Sequence, residues 1–313
     1  MALGTKSPVP MTGPRPTSPP IGLVLGSGGA RGLAHLIVLE TLEELGLRPA
    51  AIAGSSIGAI IGAASASGIS ARALREHFET LFLNRTHVMA RLWKARVGRV
   101  KDLFTRSPGN PVLVDGEALL DLFWPDSVPD TFEALEIPLT VVATDFYHHR
   151  EIRFDSGSLV SGVAASMAMP ALVKPVQIEG HVLIDGGAIN PLPFETFLDQ
   201  GMVVIAVDVS GGPKVSTALP SPFATMIGAA QIMQAALVQQ KLQFRQPDIL
   251  LKPDVAGFQA LDFFKIEAIL TASAPLKDQL KYALSAHLDQ RLSRLLLKKL
   301  RNSSADSRAL IPP

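Results

Sequence analysis

Cysteine is absent from this 313-residue chain, which excludes disulfide staples, thiol catalysis and thiolate metal sites together. The absence also suits a reducing compartment. Charge imbalance is lacking too. The 29 basic and 28 acidic side chains leave a formal net charge of +1, so no global field recruits nucleic acid or an acidic partner. No run reaches the roughly 18 uninterrupted apolar residues a spanning helix needs. The nearest, Phe223 to Val238, is broken by Gln231 and Gln234 and reads as a buried helix. No acidic loop has calcium spacing, and no metal or other cofactor is expected. The first 20 residues hold six prolines and no acid. They lack the apolar core of a secretory signal, and the expected location is cytoplasmic, with peripheral membrane contact left open.

What the chain does have is an apolar, small-residue stretch from Ala50 to Gly62. It reads as a buried strand, a turn at Gly54-Ser55-Ser56-Ile57-Gly58, and a helix. Gly-x-Ser-x-Gly in that setting is what a nucleophile elbow requires, with the Ser56 hydroxyl exposed on a strained turn. Gly54 and Gly58 let strand and helix approach without side-chain clash. A plain strand-to-helix turn with a capping serine is the competing reading.

One crossover upstream, the short strand Ile21 to Leu25 runs into Gly26-Ser27-Gly28-Gly29-Ala30-Arg31-Gly32 and then a helix. Such a loop directs several backbone N–H groups to one point at a helix N-terminus, where an anion or a developing oxyanion is stabilised. The dinucleotide fingerprint fails because its sixth position is Arg31, and no Gly-Lys-Ser/Thr closes a P-loop. The reading that uses both glycine motifs makes this loop an oxyanion hole for the serine on the neighbouring parallel strand.

Ser70 caps a helix to Leu83, and residues 84–124 mix basic and apolar side chains, either as a solvated helical face or as a cap touching anionic lipid. Asp145, His148 and His149 suggest a metal cluster, although a hairpin tip explains them better. The leucine stripe from Leu280 to Leu296 carries basic residues on its other faces, and either packs on the domain or docks on a membrane. The expected organisation is a Pro-rich tail over residues 1–20, one catalytic domain over 21–301 and a second tail over 302–313. Within the domain, residues 70–124 form a helical cap and 261–301 a helical extension.

A serine nucleophile needs a base. None of the histidines after Ser56 has a loop context that recommends it. Asp185 ends a buried apolar strand and is followed by Gly186 and Gly187, which leave its carboxylate uncrowded. An aspartate near its ordinary pKa of about 3.9 is a feeble base, so burial has to raise it.

The loop at 26–32, the elbow at 54–58 and Asp185-Gly186-Gly187, in this order, resemble the patatin-like phospholipase family, particularly its bacterial branch related to neuropathy target esterase. Ala165-Ser166-Met167-Ala168-Met169-Pro170 is similar to a further family block. Ser27 stands where members often carry another glycine. The resemblance implies a three-layer α/β/α sandwich with a mostly parallel central sheet and a Ser–Asp dyad without histidine. It further implies hydrolysis of phospholipid or lysophospholipid acyl esters. Carried over by position, Ser56 is the nucleophile, Asp185 the proton acceptor, and Gly28, Gly29 and Ala30 the oxyanion hole. Arg31 matches the family's basic position beside the loop, where it steadies the turn or attracts phosphate, and His35 has a structural role. Two rivals remain: a catalytically silent lipid-binding or regulatory protein of the same fold, and a histidine-dependent esterase. Oligomeric state is open.

Overall fold

In the computed structural model, which describes residues 19–94, 114–213 and 219–289, the apolar runs become strands of one sheet. They are β1 (Ile21–Leu25), β2 (Ala51–Ser55), β3 (Leu139–Asp145) and β4 (Arg150–Phe154). β5 (Val176–Ile178), β6 (His181–Asp185), β7 (Val203–Val207) and β8 (Ile249–Leu251) complete it. The hydrogen-bonded path runs β5-β6-β3-β2-β1-β7-β8, with β4 also on β3. From β3 to β8 all pairings are parallel, and those of β4, β5 and β6 are antiparallel, so the sheet is mixed. Leu25 aligns with Gly54, which brings the glycine-rich loop and the elbow out of the sheet side by side.

One detail of the register positions the site. β4 takes one edge of β3 along Val141 to Asp145. The other edge is shared, with β2 on Leu139 to Val142 and antiparallel β6 on Ala143 to Asp145. β2 and β6 therefore lie end to end, and their carboxyl ends, Ser55 and Asp185, face neighbouring residues of β3.

Helices accompany the strands. The first four are α1 (His35–Glu44), α2 (Ile57–Ala66), α3 (Ala71–Leu83) and α4 (Arg85–Lys94). α5 (Gly116–Phe123), α6 (Leu159–Ser166), α7 (Pro222–Phe244) and α8 (Ile266–Ser273) follow. Ser70 and Asp115 cap α3 and α5 through their side-chain oxygens, each satisfying N–H groups that the first helical turn leaves free. Because strand side chains alternate, Leu23, Leu25, Ile52, Val141, Ile205 and Val207 point into the main core with α1, α2, α3, α6 and α8. Val24, Ala53, Val204 and Ala206 point the other way, onto Leu192, Phe194, Phe197 and Val238. Both sheet faces are covered, which explains the unbroken apolar strands.

The expectation of a buried helix over Phe223 to Val238 is overturned. α7 buries only Val238, because it touches the sheet by one narrow face and no further layer of the described residues covers it. Hydropathy reports what a side chain prefers, not what is available to pack on it. Among the described residues no helix is long and apolar enough to cross a membrane. The chain is again helical over 276–289. Leu276 and Leu280 are buried there, and Lys277 and Lys281 donate to Glu44, so this part of the leucine stripe packs on the domain. Its remainder, residues 1–18 and 302–313 of the expected tails and residues 95–113 of the expected cap lie outside the described residues.

Candidate active site

Ser56 joins β2 to α2 with φ 56° and ψ −121°, a left-handed conformation that non-glycine residues rarely adopt and that costs roughly 1–3 kcal/mol. The surroundings hold it there. Its N–H donates to Ser166 Oγ at 2.9 Å, and that hydroxyl donates onward to the Val142 carbonyl at 2.6 Å. Its carbonyl accepts from Ala59 and Ile60, starting α2. A Cβ on Gly54 would lie 2.5 Å from the Gly58 carbonyl oxygen, and one on Gly58 would overlap the Leu25 carbonyl. Glycine at both places is what lets strand and helix close on the turn.

The end-to-end meeting of β2 and β6 delivers Asp185 to this serine. Ser56 Oγ donates to Asp185 Oδ2 at 2.6 Å. The other carboxylate oxygen accepts the Gly187 N–H at 2.7 Å, and the Asp185 carbonyl accepts from Thr144 Oγ1. Asp185 is 2% exposed. Burial pushes its pKa up from 3.8 to about 6, against the opposing pull of hydrogen bonds from Ser56 and Gly187. Gly186 follows because a Cβ there would overlap the Val142 carbonyl.

The glycine-rich loop is pinned at several points. Gly26 N–H donates to Val207 O and Ser27 N–H to Pro191 O. His35 Nε2 lies 3.0 Å from the Gly26 carbonyl, which places the ring proton on Nε2. Burial pushes the pKa of this histidine down to about 4, so the ring stays neutral and holds the loop. Arg31 is 4% exposed. Its Nε–H donates to the Gly28 carbonyl at 3.2 Å, while Nη2 has no partner among the described residues. Burial lowers its pKa, and the charge of Asp208 opposes that shift.

Of the three backbone donors expected from the sequence, Ala30 requires correction. Its N–H donates to the Ala260 carbonyl at 2.7 Å, because the loop packs against the residues before α8. The N–H groups of Gly28 and Gly29 have no protein acceptor among the described residues, and Gly29 has φ +60°.

No histidine hydrogen-bonds to Ser56 or Asp185 among the described residues. His77 contacts the Phe123 carbonyl, and His148 and His181 both direct Nδ1 at Asp145. The cluster suggested by Asp145, His148 and His149 is thus composed differently, with His181 replacing His149. Its three ligand atoms lie within 4.8 Å of one another. The buried carboxylate already accepts the His148 N–H, both imidazoles and Arg150 Nε, which is the bonding of a capped hairpin. Ser166 carries no role in the sequence reading. Its signals are its place in the block 165–170 that resembles the family and a hydroxyl at the end of the small-residue helix α6, and its task becomes visible only when α6 meets the elbow.

Two cavities of about 300 and 320 Å³ adjoin at Gly29, Met169 and Ala260. The first reaches Ser56 and is walled by apolar side chains such as Ile60, Phe82, Leu92, Phe123 and Phe263. Helices α3, α4 and α5 supply much of that wall. The second contains Asp185, Gly28 and Arg31 and is closed by Met226, Met233 and Gln234 of α7.

Several known proteins are similar to this chain. An uncharacterized NTE family protein of Mycobacterium tuberculosis is 34% identical over 196 residues, covering 62% of this chain and 50% of that protein. Patatin-like phospholipase domain-containing protein 6 of Mus musculus is 29% identical over 277 residues, covering 80% of this chain and 20% of its own length. The chain thus spans about half the length of the mycobacterial relatives and about a fifth of the mammalian one. The crystal structure of VipD from Legionella pneumophila aligns over 87% of this chain and 67% of that one at 16% identity, with a TM-score of 0.45. The model of the family described as Patatin-like phospholipase matches residues 23–198, a span that holds the glycine-rich loop, Ser56 and Asp185. The chain belongs to the patatin-like phospholipase family.

Proposed function

We propose that the chain is a serine acyl hydrolase that cleaves fatty-acyl esters of phospholipid or lysophospholipid through Ser56 and Asp185, with no histidine. The observation that carries this is the 2.6 Å contact from Ser56 Oγ to a buried Asp185 carboxylate. Family membership supports lipid ester hydrolysis at the coarser level.

The fatty-acyl chain lies in the apolar cavity, where each buried methylene contributes about 0.8 kcal/mol. Ser56 Oγ attacks the ester carbonyl carbon while Asp185 takes its proton. The oxyanion is held by the N–H groups of Gly28 and Gly29, each donor contributing roughly 3 kcal/mol to the transition state. Collapse expels the alcohol, which takes the proton back from Asp185 and leaves toward the second cavity and Arg31. Asp185 then deprotonates a water that attacks the acyl-enzyme, and Ser56 departs with that proton. A pKa near 6 makes this carboxylate a far better proton acceptor than a solvated aspartate.

Product analysis with phospholipids, lysophospholipids and neutral esters tests the substrate class. Wild type should release fatty acid, including in chelator, and Ser56→Ala and Asp185→Asn should each lose activity by roughly a thousand-fold or more. Full turnover in either variant would sink the mechanism. A folded wild type that hydrolyses nothing and is not labelled at Ser56 by a fluorophosphonate would support the silent lipid-binding alternative.

A further inference from the structure

α7 is a 23-residue helix with a single buried residue. Its sequence is apolar nonetheless, and its only charged side chain is Lys241. Met226, Met233, Leu237 and Phe244 are all exposed, Phe244 by 83% and Met233 by 61%. At 100° per residue these four fall within about 40° of arc, and they extend about 27 Å along the axis. A contiguous apolar stripe of this kind on a soluble surface marks a contact site.

Three observations indicate what covers it. No acidic residue occurs between Asp208 and Asp248, a stretch that includes Lys214, Lys241 and Arg245. Lys241 and Arg245 are already paired with Glu195 and Asp199, so the exposed flank of the helix is apolar and close to neutral. Met226 and Met233 belong both to the stripe and to the wall of the cavity that holds Asp185. The surface therefore continues into the site. A second copy of the chain seated on the stripe would sit across that cavity, whereas a bilayer would supply the molecule that enters it.

We infer that the exposed face of α7 docks on a lipid bilayer, mainly through apolar contact, and brings the Asp185 cavity to the membrane surface. The inference rests on the acyl-hydrolase reading for its choice of lipid over a second protein copy. Leu237 and Phe244 lie on the stripe and outside the cavity wall, so they isolate docking from chemistry.

The test is co-sedimentation of the full chain with vesicles of phosphatidylcholine carrying a minority of phosphatidylglycerol. Hydrolysis of vesicle lipid and of a short, water-soluble ester is measured in parallel. Wild type should bind with little sensitivity to salt. Leu237→Asp with Phe244→Asp should weaken binding at least about ten-fold, as removal of buried apolar contacts dictates. Vesicle hydrolysis should fall by a similar factor, with turnover of the soluble ester unchanged. Vesicle binding unaltered in the double variant overturns the inference, as does a wild type that does not bind. So does a wild-type dimer in light scattering that the double variant converts to monomer, because the stripe is then a protein interface. A wild type that binds vesicles through these residues and cleaves no ester refutes the hydrolase reading and leaves the docking face standing.

Discussion

Ser56 and Asp185 come from strands that share no ladder, and each is held by a different neighbour. The pKa of Asp185 carries two consequences. As a proton acceptor it must be ionised, so kcat/KM should rise with pH through about 6 and then level, which a pH–rate profile will display. For stability the sign is opposite. The folded-state pKa lies above the ordinary 3.8, so the contribution of protonated Asp185 is full below 3.8 and is lost as pH rises through 6. At pH 7–8 Asp185→Asn should therefore be inactive yet more stable, by up to about 3 kcal/mol in denaturant titrations. An equal or lower stability at that pH would mean that hydrogen bonding, not desolvation, governs the site. Ser166 gives a second test at this scale. Ser166→Ala strands the buried Ser56 N–H, a loss of roughly 1–3 kcal/mol. It should lower kcat more than it changes KM, because the elbow is loosened while both cavities keep their walls.

At the scale of elements, the strand–turn–helix units are legible in the sequence because their determinants are local. Gly54 and Gly58 flank Ser56 within one turn, and the Gly28–Gly29 pair precedes a helix start. Gly58→Ala forces a methyl group into the Leu25 carbonyl. It should cost several kcal/mol or prevent soluble expression, measurable as a lowered Tm. Asp185 is legible as a strand end with two glycines, but its seat against Ser56 depends on β6 pairing with three residues of β3 about 40 positions earlier. No local pattern encodes that register. Ala30 shows the same limit, since its N–H is claimed by Ala260, far along the chain. The misreading of α7 has another origin: hydropathy identifies an apolar helix, but only the assembled layers determine whether anything lies over it.

For the molecule as a whole, helices α1 to α6 and α8 make one face of the sheet thick, and the other is closed by short turns and a single edge of α7. The site sits where the parallel part of the sheet gives way to the antiparallel part. β6 is tied to β3 by three paired residues and, among the described residues, β5 only to β6, while β1 at the centre is paired along both edges. The serine thus belongs to the better-anchored half, and its base to a short marginal hairpin.

The seam where β2 and β6 abut turns the Ser56–Asp185 contact into a fuse. Partial opening of the β5–β6 hairpin costs less than global unfolding, as is general for peripheral units with few ladder bonds. Activity should therefore vanish at a lower urea concentration than the far-ultraviolet circular dichroism signal. Amide exchange at Leu183 and Ile184 should likewise outpace exchange at Leu23 and Val24. Coincident loss of activity and helicity would show instead that the hairpin and the parallel half melt as one unit. If the two separate, mild stress disconnects the base from the serine while the rest of the fold persists, and restoring native conditions rejoins them without refolding the chain.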